Sequence, residues 1–366
     1  ADREWEMLRA LAWRGTATAW ILLGSVSILM SSYRLVSVRG FSLFGGGGAS
    51  PARWRRPVVV RVFPQQHRLY ASKADPEQED EESNKKRLVF LGSPEVAAET
   101  LRTIHEHSLK EESVFSVVGV VTQPPKKRTK RVRGDVPTPV ALVAEELGIP
   151  VWHPDKANDR EFLDCLENTI RPDVCITAAY GQYLPKRFLA TPTHGTINIH
   201  PSLLPRWRGA SPVQRSLETG DNPVGVSVLF TVSEMDAGPI IIQQEHEIGE
   251  NEKATTLLPK LFELGTRNLL DVLPGVLAGN ITMETAKPQD ESQVTLAKMI
   301  HSHEAKLYPW KSTARECHNK IRGFSMWPGA YVDLILGDKD TQKPVKAKLA
   351  DTRVLREKSQ EITDES

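Results

Sequence analysis

A chain of 366 residues is long enough for two domains plus tails, since domains cluster around roughly 100 to 200 residues each. With 40% apolar and 25% charged residues and a net charge of +1, it has the composition of ordinary folded protein, so any nucleic-acid signal has to be local. Its three cysteines, Cys165, Cys175 and Cys317, show neither CxxC spacing nor a histidine at ligand spacing. That excludes a disulfide framework and structural zinc, and they are expected as reduced thiols, Cys175 in the core.

From Met7 to Ala74 there is no Asp or Glu, while nine arginines from Arg9 to Arg68 are spread through Ser- and Gly-bearing sequence. This is transit-peptide composition, and residues 1–74 are expected to stay outside the fold. Arg68-Leu-Tyr-Ala-Ser resembles a site cut by the mitochondrial processing peptidase, so the mitochondrial matrix is expected rather than the chloroplast, with a mature start near Ala71. The uncharged run from Gly15 to Tyr33 contains Gly24, Ser25, Ser27 and Ser31, too polar to be read as a membrane span. Residues 75–84 form an acidic block that reads as a solvated linker.

Residues 85–280 read as one α/β domain. Arg87-Leu-Val-Phe-Leu-Gly is a buried strand, and Pro94 opens a helix whose apolar positions are Val96, Ala97, Leu101 and Ile104. A strand at Val114 to Val121 follows. Then come a helix at Thr138 to Leu147, a short strand at Ile149 to Trp152, a helix at Asn158 to Ile170 and a strand at Asp173 to Ala179. Strand and helix in alternation predict a doubly wound, mostly parallel sheet. Gly195 to His200 is a further strand, Ser211 to Glu218 a helix, Val224 to Val232 and Pro239 to Ile248 a hairpin, and Thr255 to Leu277 a long helix. Residues 281–296 are a polar connection, and the runs Ala330 to Leu336 and Lys343 to Leu349 predict an all-β, barrel-like second domain over 297–366. Gly92-Ser-Pro after the first strand fits neither GxGxxG nor a P-loop, so nothing cradles a dinucleotide or a transferable phosphate.

In open parallel sheets ligands sit beyond the carboxyl ends of the strands, which directs attention to Thr196-Ile-Asn-Ile-His200. Asn198 and His200, two apart, project on one face there. The Gly-terminated loop Ser233-Glu-Met-Asp-Ala-Gly adds the carboxylate of Asp236. Amide, imidazole and carboxylate make an acyl-transfer set: the amide N–H stabilises an oxyanion, the imidazole moves protons, and the carboxylate fixes the imidazole's tautomer. Taken alone, an Asn or a His at a strand end is more often a turn residue.

The longer string Asn198-Ile-His-Pro-Ser-Leu-Leu-Pro-Arg-Trp-Arg-Gly-Ala resembles the folate-dependent formyltransferases. Together with the Pro212-Val-Gln-Arg-Ser helix it most resembles those that act on methionyl-tRNA, and the likeness runs from about Arg87 to about Arg353. The resemblance implies that Asn198, His200 and Asp236 are catalytic and that Ser202, Leu203, Leu204 and Pro205 contact 10-formyltetrahydrofolate. It also implies that the loop of Ala179, Tyr180 and Gly181 walls the pterin pocket; a loop packed on its own Tyr180 is the plain alternative. No metal is implied. The expected reaction carries the formyl group onto the amino group of initiator methionyl-tRNA for organellar translation initiation, by a monomeric enzyme.

Lys126, Lys127, Arg128, Lys130, Arg131 and Arg133 put six like charges into eight residues, a run that follows a phosphate backbone or is simply solvated surface. In the family resembled here, an inserted basic loop at this place enters the acceptor end of the tRNA. Arg206 and Arg208 flank Trp207, a combination suited to phosphate contact with base stacking, or to a buried Trp between surface arginines. The resemblance implies a second domain of oligonucleotide-binding barrel type, roughly 100 residues long. Residues 297–366 are fewer, so an incomplete barrel is expected. Relatives that formylate glycinamide ribonucleotide or an amino sugar, 10-formyltetrahydrofolate hydrolases, and an idle RNA-binding relative are the alternatives.

Overall fold

The computed structural model describes residues 85–127, 135–336 and 343–355. The leader, the acidic linker and the tip of the basic loop (Arg128, Lys130, Arg131 and Arg133) therefore lie outside the described residues.

The sheet begins with β1 (Lys86–Gly92), whose last five residues are all buried, as a strand covered on both faces must be. Helix α1 (Glu95–Ser108) returns antiparallel to it with Ala97, Ala98, Leu101 and Ile104 buried at helical spacing. After β2 (Phe115–Val121) comes α2 (Pro139–Glu146), capped by the Thr138 hydroxyl accepting from the Ala141 amide and started by Pro139. The chain continues through β3 (Val151–Trp152), α3 (Arg160–Cys165), β4 (Val174–Ala178) and the short α4 (Lys186–Leu189) to β5 (Thr196–His200). Helix α5 (Pro212–Thr219) precedes β6 (Val224–Phe230), β7 (Ile240–His246) and the 24-residue α6 (Ala254–Leu277).

Seven strands lie in the order β7-β6-β5-β4-β1-β2-β3. β3, β2, β1, β4 and β5 are mutually parallel, and β6 runs antiparallel to both β5 and β7. Helices cover both faces. Leu88, Phe90, Ile176, Ile197 and Ile199 pack with α1, α2 and α6 on one side. Val89, Leu91 and Cys175 pack with Phe162, Leu163, Leu166 and Phe188 on the other. The doubly wound, mostly parallel α/β domain is thus the observed one. Under the centre of the sheet, a Cβ on Gly265 of α6 would stand 2.6 Å from Ile199 Cγ2 and 2.7 Å from Val226 Cγ2, so this helix lies directly against β5 and β6.

Beyond residue 297 the architecture is not all-β. Helix α7 (Ala314–Gly323) precedes the antiparallel pair β8 (Tyr331–Leu336) and β9 (Lys343–Lys348). Thr313 and Glu316 form a capping box at its start. Its buried side includes His318, Asn319 and Arg322 as well as Ile321, which is why no apolar period marks it in the sequence. Among the described residues β8 and β9 form a two-stranded sheet, with one further parallel bridge from Tyr331 to Lys306, and Leu334, Ile335 and Val345 are exposed.

Candidate active site

β5 sits between β4 and β6, with Asn198 opposite Thr177 on one side and Leu229 on the other. Ile197 and Ile199 enter the core beneath, so Asn198 and His200 share the opposite face. The Thr177 hydroxyl donates to Asn198 Oδ1 at 2.8 Å, an orientation that turns Nδ2, the donor end, away from that bond. The sequence does not reveal this, because the partner lies 21 residues away on another strand.

His200 is buried, and its Nε2 stands 2.9 Å from the carbonyl oxygen of Trp207. A carbonyl only accepts, so Nε2 carries the proton and Nδ1 of the neutral ring holds the lone pair. Asp236 Oδ2 is 3.7 Å from Nδ1, within ion-pair range but beyond a hydrogen bond. The carboxylate instead accepts the Gly209 backbone N–H at 2.8 Å. The expectation that Asp236 fixes the tautomer is thereby corrected: the backbone of Trp207 does so.

The strap Arg206 to Gly209 thus supplies a partner to each member of the pair. It is held in turn from the 281–296 connection. Trp207 N donates to Thr295 Oγ1 at 2.9 Å, Arg208 N donates to Thr295 O at 3.0 Å, and Arg208–Gly209 pairs in parallel with Leu296–Ala297. A Cβ at Gly209, where φ is +127°, would stand 2.7 Å from the Ala297 carbonyl oxygen, so only glycine fits that pairing.

Arg208 departs from its expected role on tRNA. Its side chain is buried, and four of the five guanidinium N–H donors go to Gln289 and Glu291 at 2.8 to 3.2 Å, which turns it away from an external phosphate. Arg206 is exposed, pairs with both oxygens of Asp221 and lies 5.3 Å over the Trp207 ring. The Trp207 indole N–H also donates to Asp221, at 2.7 Å.

Ser202 and Leu203 line a cavity of about 340 Å³ with Arg206, Trp207, Asp221 and Gly225. Leu204 does not: it is buried with Leu229 and Ile240 as core. The turn is stapled by the Ser227 hydroxyl, which donates to Ser202 O at 2.6 Å and accepts from Leu204 N at 3.1 Å; Gln243 Nε2 donates to Leu204 O at 2.7 Å. Pro205 is half-buried beside it.

After β4, Ala179 and Gly181 are exposed with φ of +47° and +77°. The Tyr180 ring is instead packed among Val89, Leu91, Leu184 and Phe188, so the plain alternative holds for this side chain. Its hydroxyl is buried without a partner, and burial pushes the phenol up to about 12. The Tyr180 carbonyl accepts from Gln123 Nε2 at 2.9 Å, which ties the loop to the end of β2. Lys126–Lys127 and Asp135–Val136 form a two-residue antiparallel ladder at the base of the basic loop.

Among the described residues no group of three or more His, Cys, Asp or Glu side chains is placed to hold a metal, and no helix is long and apolar enough to cross a membrane.

Residues 86–273 match the sequence profile of the formyl transferase family, and residues 301–363 that of the formyl transferase C-terminal domain. The chain is 43% identical over 244 residues to a methionyl-tRNA formyltransferase of Thermotoga maritima, covering 67% of this chain and 74% of that protein. It is 38% identical over 283 residues to one of Listeria innocua, covering 76% and 85%. In fold it is similar to a 4-N formyltransferase from Francisella tularensis (TM-score 0.55, 18% identity, 74% of this chain and 100% of that one). A sugar N-formyltransferase from a Shewanella species gives a TM-score of 0.53 at 17% identity, over 74% and 99%. The chain belongs to the formyltransferase family, and within it to the methionyl-tRNA formyltransferases.

Proposed function

We propose that this protein transfers the formyl group of 10-formyltetrahydrofolate to the α-amino group of methionyl-tRNA, in mitochondria, for translation initiation. The observation that carries the reading is the convergence of Asn198, His200 and Asp236 at one end of β5, in a chain 43% identical to a methionyl-tRNA formyltransferase. An RNA-binding relative without chemistry has no use for such a set.

The neutral amine attacks the formyl carbon, forming the new C–N bond. Asn198, its Oδ1 already taken by Thr177, offers Nδ2 to the oxyanion. His200 accepts the amine's proton on Nδ1, the nitrogen left bare by the Trp207 carbonyl, and passes it to N10 as the C–N10 bond breaks. An imidazolium 3.7 Å from the Asp236 carboxylate gains about 4 kcal/mol of Coulomb attraction at an effective dielectric constant of about 20. That attraction is largest when the proton is in flight, as transition-state stabilisation requires. Ser202 and Leu203, lining the cavity beside the strap, are proposed to contact the folate together with Pro205, Ala179 and Gly181. The basic run from Lys126 to Arg133, with the exposed Arg206, is proposed to contact tRNA.

The test is the full chain incubated with 10-formyltetrahydrofolate and methionyl-tRNA. Formylmethionyl-tRNA is expected in stoichiometry with tetrahydrofolate, and folate turnover with unmodified methionyl-tRNA would overturn the reading. The leader supports the address: residues 1–74 fused to a fluorescent reporter are expected in mitochondria, and a cytosolic reporter would remove that part of the proposal.

A further inference from the structure

We propose that Gln289, in the connection between the two matched regions, is a positioning residue for the His200–Asp236 pair. This rests on the proton-transfer role given to that pair above. A single side-chain amide there joins the two segments on which the pair depends.

Gln289 Oε1 accepts from Arg208 Nε at 2.9 Å and Arg208 Nη2 at 2.8 Å. Its Nε2 donates to the carbonyl oxygens of Asp236 and Gly238, both at 2.7 Å. Two acceptor sites and two hydrogens exhaust an amide, so this side chain is fully committed. One end grips the strap that provides the Trp207 carbonyl to His200 and the Gly209 N–H to Asp236. The other grips the loop that carries Asp236 itself.

Both gripped segments need holding. Trp207 at φ +66° and Asp236 at φ +52° sit in the left-handed region without being glycine, a conformation that persists only where the surroundings over-determine it. Gly238 is pressed so closely onto β6 that a Cβ there would lie 1.7 Å from the Phe230 carbonyl oxygen, leaving the loop no slack on that side. The Asp236 loop is held further by the Gln289 amide, 53 residues away in sequence. If the clamp opens, the Gly209 N–H is the direct bond left between strap and loop, and both the Nδ1 separation from the carboxylate and the Trp207 bond that sets the tautomer are free to drift. A misplacement of about 1 Å is enough to cost on the order of a hundredfold in rate.

The test uses the full chain with Q289A and Q289E. Glu is isosteric but turns oxygens toward two carbonyls, so it removes the donors while keeping the volume. We expect kcat for formyl transfer to fall about 10- to 100-fold in both, with KM for folate and for methionyl-tRNA within threefold of the parent. The pH profile of kcat should also change shape. Ring-15N shifts of His200, assigned by loss of the signal in H200A, should report the Nε2–H tautomer in the parent and a mixture in both variants. Unaltered kcat and pH profile, or 15N shifts unchanged in the folded variants while only the melting temperature falls, would make Gln289 a structural residue and overturn the proposal. The 15N comparison needs no turnover: if the parent itself forms no formylmethionyl-tRNA, the functional reading fails while the positioning role is still decided.

Discussion

Two regions of this molecule use polar residues in opposite ways. Around the end of β5 nearly every polar group is matched inside a closed network: Thr177 with Asn198, Trp207 O with His200, Gly209 N with Asp236, Ser227 with both ends of the Ser202 to Leu204 turn. The β8–β9 pair, by contrast, packs Tyr331 in a cluster with Phe324 and Val332 in one with Ile321 along one part of its length, while Leu334, Ile335 and Val345 are exposed. Position matters to within fractions of an ångström in the first region, because chemistry depends on it, and far less at the exposed residues of the second. Substitutions should therefore act on rate with little loss of fold in one, and have small effects in the other.

The largest effect is expected at the site. H200A or N198A should lower the rate constant for formyl transfer by about two to four orders of magnitude, the range typical of a general base or an oxyanion donor. Circular dichroism and folate binding should stay at parent level. Turnover within about threefold of the parent would break the contrast at its strong end.

Smaller and of a different kind is the effect of replacing Lys126, Lys127, Arg128 and Lys130 by Ala. Methionyl-tRNA affinity should weaken while folate affinity holds, and the slope of log affinity against log salt should drop by roughly 0.7 to 0.9 per lost phosphate contact. Titrations from low to moderate salt check this, and an unchanged slope would make the run solvated surface.

Y180F sharpens the comparison inside the α/β domain. The buried hydroxyl has no partner, so its removal should leave transfer kinetics at parent level and raise stability by up to about 1 to 3 kcal/mol, the cost of an unsatisfied buried polar group. A tenfold fall in kcat/KM for folate would instead assign the hydroxyl to the ligand. The smallest effect is expected from I335K on the exposed face of β8. Denaturant unfolding should move by no more than about 0.5 kcal/mol, and a shift of several kcal/mol would mean that this face is covered.

Much of this was legible in the chain because the controlling signals are local. Period-2 and period-3.6 apolar patterns located the strands and helices of the sheet domain, and the two-residue spacing of Asn198 and His200 fixed their common face. What escaped was set by distant partners. Gln289 reads as one more polar residue in a connection, and its meaning lies in carbonyls 51 and 53 residues away. Arg208 looks equivalent to Arg206 in sequence, yet one is buried against Gln289 and the other exposed beside Asp221. Helix α7 buries polar side chains, so hydrophobic periodicity is silent there; the Thr313–Glu316 capping box was its one local signature.

The choice of acceptor is the central claim, and competition measures it most directly. The full chain would be given labelled 10-formyltetrahydrofolate with methionyl-tRNA, glycinamide ribonucleotide and a nucleotide-linked amino sugar together, each below saturation. The account predicts that label accumulates on methionyl-tRNA and that H200A abolishes this transfer. Label on either small molecule, or release as formate with methionyl-tRNA left unmodified, would contradict it.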